Sequence, residues 1–440
     1  MIIDNGIGNF INFILPFVSL VSTQLPTVME LIKVIHDNRL DADPINLGLI
    51  RAIALGDTSK IAILLRRIQP KILWKQLCCS PFQEPDDSVD GPIRIASNEQ
   101  NKPVGIYPYE PHVLLAGQTG SGKTTVMLLS FVQAIIKGIN TWLFTKSTEI
   151  RNLLHATERI FFVRFQGLEK IGSLLTHPFL PRSAWANIWA DIFCQAFAIY
   201  DGTKNFLIEH LNKLYALNPN PTLLDLYNQI KNSKYPLMSR EARYRESALN
   251  RLGGILSSGL GKTLEPSDVE LVNLVESSIN IVWEIQYLTI EQQVFIVNLL
   301  TAWLFHYKLH LETEKIHFIG LDDGNALFDA SFEHRPDRGL PEISHLVSMA
   351  RHAKIYLWAC TQIPHQMGAS IHSNAFTKIM FSLTNGKDID CMINSMGITD
   401  KAQREYCHRL KEREIVVKFS GRYTAPFLAR VPDLKNYGGQ

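Results

Sequence analysis

The stretch that most constrains this chain is H-V-L-L-A-G-Q-T-G-S-G-K-T-T, residues 112–125. A short apolar run, 113–116, reads as a buried strand. Gly117, Gln118, Thr119, Gly120, Ser121, Gly122, Lys123 and Thr124 then complete the pattern G-x-x-x-x-G-K-[ST], with Thr125 directly after it. Residues 126–136 follow as an apolar helix. Glycines let the backbone turn tightly, so successive N–H groups point inward at a helix N-terminus and cradle phosphate oxygens. In that context Lys123 is expected to reach the β- and γ-phosphates, and Thr124 to hold Mg²⁺ through its hydroxyl. The expected ligands are ATP and Mg²⁺.

Around this loop, strand-like runs alternate with helical ones. Strands are expected near 141–145, 160–165, 279–285, 316–321, 355–360 and 377–383, and helices at 290–309, 342–352 and 388–395. Residues 414–419 and 424–429 resemble a closing hairpin. The alternation predicts an α/β fold with a mainly parallel sheet, whose ligands sit at the carboxyl ends of the strands. Between 184 and 270 the pattern is helical throughout, an insertion within the core. The core itself is expected over 101–183 and 271–440, after a small, mainly helical module at 1–100. In that module 27–36 and 47–77 read as helical, and the Pro- and Asp-rich 80–91 reads as a linker.

A phosphate loop alone hydrolyses nothing; it needs an acid at the end of a neighbouring strand. The sequence I-H-F-I-G-L-D-D, 316–323, supplies a pair. Asp322 is expected to act on Mg²⁺ and Asp323 to orient or deprotonate the attacking water. Gln362, after the strand 355–360, is placed to sense the γ-phosphate. Arg351, at the end of a helix before that strand, is expected close to the sheet's active edge, as the arginine that completes a neighbouring subunit's site; Arg245 and Arg251 are alternatives. The run G-L-G-K-T at 259–263 imitates a second phosphate loop, but Leu256 stands where the first glycine belongs. It reads as a helix C-cap and loop.

Composition adds bounds. Hydrophobic residues make up 46% and charged residues 20% of 440 positions, which suits a globular protein of about two to three domains. Net charge is only +2, so a basic surface for nucleic acid is local or emerges on assembly. Six cysteines form no C-x-x-C pair, which favours a reduced, cytoplasmic protein. Residues 7–22 are apolar but interrupted by Asn9, Asn12 and Pro16, and no Lys or Arg precedes Lys33. A core- or partner-facing helix is expected there, with membrane contact the second reading.

The motifs A-G-Q-T-G-S-G-K-T (116–124), L-D-D (321–323) and M-A-R-H-A-K-I-Y-L-W-A-C-T-Q (349–362) together resemble the HerA/FtsK superfamily. That superfamily includes coupling proteins of the VirD4/TraD kind and VirB4-like ATPases. H-P-F-L-P (177–181) with Trp189, P-T-L-L-D-L-Y (221–227) and V-W-E-I-Q-Y-L (282–288) are similar to segments of HerA-like ATPases. The likeness spans residues 104–432. It implies a RecA-like P-loop core, assembled as a homo-hexameric ring that threads double-stranded DNA by ATP hydrolysis, with a nuclease or secretion component as further partner. The sequence departs from the family pattern in carrying Asp323 where a glutamate is usual, and Thr145-Lys146 where the second strand often ends D-x-K. Residues 1–100 match neither HerA's small barrel nor the membrane helices of coupling proteins.

Overall fold

A computed structural model describes residues 35, 40, 43–57, 59–78, 80–148, 150–151, 159–199, 201–267, 270–325, 327–333 and 342–432. The chain divides into two compact units, Met1–Ser80 and Pro81–Gln440. The apolar stretch 7–22 lies outside the described residues.

In the first unit, α1 (Pro44–Ala54) starts at Asp43, whose carboxylate accepts from the Ile45 N–H, with Pro44 preset for the first turn. The single helical pattern expected over 47–77 is two helices. Gly56, at φ 102°, breaks the chain before α2 (Ser59–Cys78). Ile53, Ile61, Leu64 and Ile68 form the core between them.

Of the expected linker 80–91, all but Ser80 belongs to the second unit. Phe82 is buried and packs edge-on against Tyr406, and a 3-10 turn at Asp87–Val89 buries Val89. β1 (Ile93–Asn98) and β2 (Pro103–Ile106) form a hairpin. β3 (Val113–Ala116) leads through the phosphate loop into α3 (Lys123–Ile136), followed by β4 (Asn140–Thr145) and β5 (Ile160–Val163). Helices α4 (Arg182–Ala196), α5 (Asp201–Leu217), α6 (Leu223–Asn232), α7 (Arg240–Leu256), α8 (Gly259–Thr263) and α9 (Leu271–Glu276) come next. Then β6 (Asn280–Glu284), α10 (Ile290–Leu311), β7 (His317–Leu321), α11 (Ala330–Glu333) and α12 (Glu342–Met349) lead to β8 (Ile355–Thr361). The chain closes with α13 (Ala369–Asn374), β9 (Thr377–Met380), α14 (Gly386–Ser395), α15 (Lys401–Cys407), β10 (Glu414–Phe419) and β11 (Phe427–Arg430).

The strands form one eleven-stranded sheet in the order β2-β1-β11-β10-β9-β3-β8-β7-β4-β6-β5. From β9 through β5 the pairs are parallel; from β9 through β2 they are antiparallel. Every residue of β3, β4, β6, β7 and β8 is buried, because helices cover both faces. Alternate residues serve two cores: Leu114, Phe144 and Trp283 on one face, Leu115, Leu143 and Trp358 on the other. Gly320 lets α3 approach β7, since a Cβ there would lie 2.5 Å from the Phe131 ring.

The helical insertion does not form a core of its own. Trp189 and Phe193 of α4 stack together and meet Phe295 of α10 edge-on, within the same apolar cluster as the sheet. α10 is long and apolar enough to cross a membrane by length and composition, but 78% of its apolar window is buried inside this fold, as in a core helix. The second G-x-G-K-T run corrects its expectation. It is α8, a short helix rather than a loop, with Gly259 and Gly261 packed so closely on the carbonyls of Phe165 and Ile255 that no side chain fits.

His112, immediately before β3, ties two elements together. Its Nδ1 accepts the Leu357 N–H at 3.0 Å, and its Nε2 donates to the Val347 carbonyl at 2.9 Å. Burial pushes its pKa from 6.5 down to about 4. A depressed pKa means that the unfolded chain binds the proton first. The stability from neutral His112 is therefore complete above pH 6.5 and is lost as pH falls toward 4. At pH 4.5 the expected loss is about 2–3 kcal/mol. Denaturant titrations of wild type and His112→Gln from pH 7.5 to 4.5 measure it. Parallel profiles for the two proteins would exclude the linkage.

Candidate active site

The phosphate loop closes over the carboxyl ends of β3 and its neighbours. The Gly117 N–H donates to the Thr361 carbonyl at 3.1 Å, and the Gln118 N–H to the Ser382 carbonyl at 2.9 Å. Gly120 and Gly122 adopt φ of 77° and 109°, the left-handed region that glycine enters without cost, and Gly122 caps α3. At Gly117 a Cβ would stand 2.5 Å from Phe381 Cβ and 2.6 Å from Ser121 Oγ. These glycines are required by geometry.

Lys123 is buried, and its Nζ donates to the carbonyls of Gly117 and Gln118 at 2.6 and 2.8 Å. Burial lowers its pKa, opposed by Cys360, Asp322 and Asp323. Thr124 opens α3 beside it, and its Oγ1 donates to Asp322 Oδ1 at 3.1 Å. Thr145, ending β4, places its Oγ1 3.2 Å from Asp322 Oδ2. Asp322 itself is fixed by its backbone N–H, which donates to the Phe144 carbonyl at 3.0 Å. Burial raises the Asp322 pKa, while the two threonine hydroxyls hold it down.

Asp323 pairs with Lys146, Nζ to Oδ2 at 2.8 Å. Gln362 lies across the loop, its Oε1 accepting from Thr119 Oγ1 at 2.9 Å. Thr361 Oγ1 bonds to Asn325 and accepts the Ile363 N–H, fixing the segment that carries Gln362. Further along the same edge, buried Glu284 ends β6 in a two-pronged ion pair with Arg151, both contacts at 2.7 Å.

Residues 117–124, Asp322, Asp323 and Gln362 are thus brought together, and Thr125 follows within the first turn of α3. Arg351 is not. It is exposed in the turn before β8, and strand direction in a parallel sheet sends that turn to the edge opposite the loop. With His112 and Asn374 it lines a separate cavity of about 300 Å³. The expectation that Arg351 lies near the active edge of its own sheet is therefore corrected. Lys146, Thr145, Asn325 and the Glu284–Arg151 pair are additional members. Thr145-Lys146 had drawn notice in the sequence as a departure from D-x-K, and Glu284 only as part of the segment 282–288.

The donor set fits a nucleoside triphosphate and a divalent cation. Thr124 and Asp322 converge hard oxygen donors suited to Mg²⁺. Ser121 Oγ, buried within the loop, has no hydrogen-bond partner among the described residues. The loop offers backbone N–H groups at the N-terminus of α3 and one buried ammonium, the chemistry that binds phosphate.

No protein-family model and no curated protein matches the sequence. Solved structures do match the fold. VirB4 of Thermoanaerobacter pseudethanolicus superposes with a TM-score of 0.62 at 12% identity, over 78% of this chain and 97% of that one. The plasmid coupling protein TrwB, in complex with the non-hydrolysable GTP analogue GDPNP, gives 0.60 at 12% identity, over 81% and 96%. TrwB in complex with ADP and Mg²⁺ gives 0.59 at 12%, over 80% and 96%. The RecA-like P-loop fold expected from the sequence is the fold of this chain.

Proposed function

We propose that this chain hydrolyses ATP with Mg²⁺ and uses the energy to move double-stranded DNA, working as a ring of identical subunits. The observation that carries the ATPase reading is the convergence of Lys123, Thr124, Asp322 and Asp323 on one strand edge. Lys123 and the loop amides bind and neutralise the phosphates, Thr124 and Asp322 hold the cation, and Asp323 orients water. Gln362, bonded to the loop at Thr119, reports the γ-phosphate to the segment after β8. In a ring, Arg351 would serve a neighbouring copy's nucleotide. The DNA reading draws support from the likeness to TrwB, a conjugative coupling protein. A nuclease or a secretion component is proposed as a further partner, in the cytoplasm, with residues 7–22 the segment for any membrane contact.

The match to VirB4 favours a second reading, an ATPase that energises protein secretion or assembly. A third is a switch in which ATP governs assembly and Asp323 turns it over slowly. Turnover measured with and without double-stranded DNA separates these readings. The DNA motor predicts stimulation of several-fold that weakens as salt rises, because phosphate contacts release counterions. Turnover indifferent to DNA at every salt concentration would exclude it.

A further inference from the structure

We propose that Lys146 is a positioning residue for hydrolysis, pinning Asp323 so that its second carboxylate oxygen meets the attacking water; this rests on the ATPase reading above. The sheet makes the placement. β4 and β7 run parallel with Phe144 opposite Leu321, so the next residues, Thr145 and Lys146, advance beside Asp322 and Asp323. Each meets its counterpart, Thr145 Oγ1 at 3.2 Å from Asp322 Oδ2 and Lys146 Nζ at 2.8 Å from Asp323 Oδ2. Two adjacent carboxylates thereby receive different partners, a hydroxyl for the cation ligand and an ammonium for the water-orienting acid.

The second oxygen completes the argument. Asp323 Oδ1 is buried and has no hydrogen-bond partner among the described residues. A buried acceptor left without a donor costs about 1–3 kcal/mol, so this oxygen is set to take a hydrogen bond from something the protein does not supply. Water fits that role. The Lys146 and Asp323 side chains are 36% and 31% exposed, so the pair is solvent-screened and contributes little to stability. Its consequence is orientation. Aspartate is one methylene shorter than glutamate, and a cation just past the end of the neighbouring strand holds this shorter side chain in place.

In the step so served, the water oxygen bonds to the γ-phosphorus while the bond to the β–γ bridging oxygen breaks. That electron pair leaves with ADP. The water proton passes to Asp323 Oδ1 and then to the inorganic phosphate released.

The test compares wild type, Lys146→Met and Lys146→Arg by steady-state turnover of Mg-ATP. Binding of a fluorescent ATP analogue is measured alongside. The expected result for Lys146→Met is a kcat lower by about 10- to 100-fold with nucleotide affinity within about twofold. Lys146→Arg restores most of the rate. Unchanged or faster turnover in Lys146→Met, or a rate that Lys146→Arg fails to restore, overturns the proposal while leaving the ATPase reading intact. A wild type that binds the analogue yet never turns ATP over removes both.

Discussion

Replacing Lys123 by alanine is expected to abolish ATP turnover, by at least about 100-fold, while leaving the fold in place. The ammonium is the buried cation of the loop, and its two carbonyl partners hold it at the centre of the phosphate cradle. Charge developing on the transferred phosphoryl group loses its nearest positive partner when Lys123 is cut back. Stability moves the other way or hardly at all. Burial penalises the lysine's charge, so truncation sheds a desolvation cost along with two hydrogen bonds. Turnover and thermal unfolding measured on the same preparation separate the two effects. A variant that keeps a third of the wild-type rate would mean that the loop does not bind the transferred phosphate.

The largest stability effect is expected at Arg422, just after β10. Its guanidinium is 14% exposed and uses its whole fork: Nε and Nη2 meet the Glu110 carboxylate, Nη1 donates to the carbonyls of Ser88 and Asp90, and Nη2 donates to that of Gly105. Its carbon Cζ lies 3.9 Å from the centre of the Phe419 ring. Arg422→Ala strands Glu110, itself 5% exposed, and the expected loss is about 3–5 kcal/mol. Lysine cannot reproduce the fork, so Arg422→Lys is expected to recover only a minor part. Pairing Arg422→Leu with Glu110→Gln removes the stranded charge and should restore part of the loss, the rest being the orphaned carbonyls. Denaturant midpoints of the variants decide it. A single variant within about 0.5 kcal/mol of wild type would show that the cluster is incidental.

These two residues mark the limits of what was legible in the sequence. Lys123 belongs to a contiguous motif whose glycines, lysine and hydroxyl act within one turn, so spacing alone locates it. Asp322 was legible too, as the first acid after a buried strand. Arg422 was not, since its partners come from segments as distant as 334 positions in the chain. The pairing of Lys146 with Asp323 crosses 177 positions and follows from β4 lying beside β7, an adjacency no local pattern encodes. The expected place of Arg351 at the active edge failed for a different reason. Its strand was read correctly and its helix ends two residues before it, at Met349, but a residue that precedes a parallel strand sits at the amino edge, and the loop sits at the carboxyl edge. The helical insertion was visible as a run of helices, whereas its merging with the sheet's core depends on Trp189 and Phe193 meeting α10.

The position of β3 in the sheet also governs when this protein becomes competent during synthesis. Its two neighbours, β8 and β9, are translated long after it, and the loop's own backbone bonds end on Thr361 and Ser382. A ribosome that has finished the phosphate-loop motif has therefore made none of the walls against which the motif is shaped. Contacts of such long sequence separation close late and slowly. Nascent and prematurely ended chains consequently carry the motif without the pocket, and on the ATPase reading proposed above nucleotide would stabilise finished molecules alone.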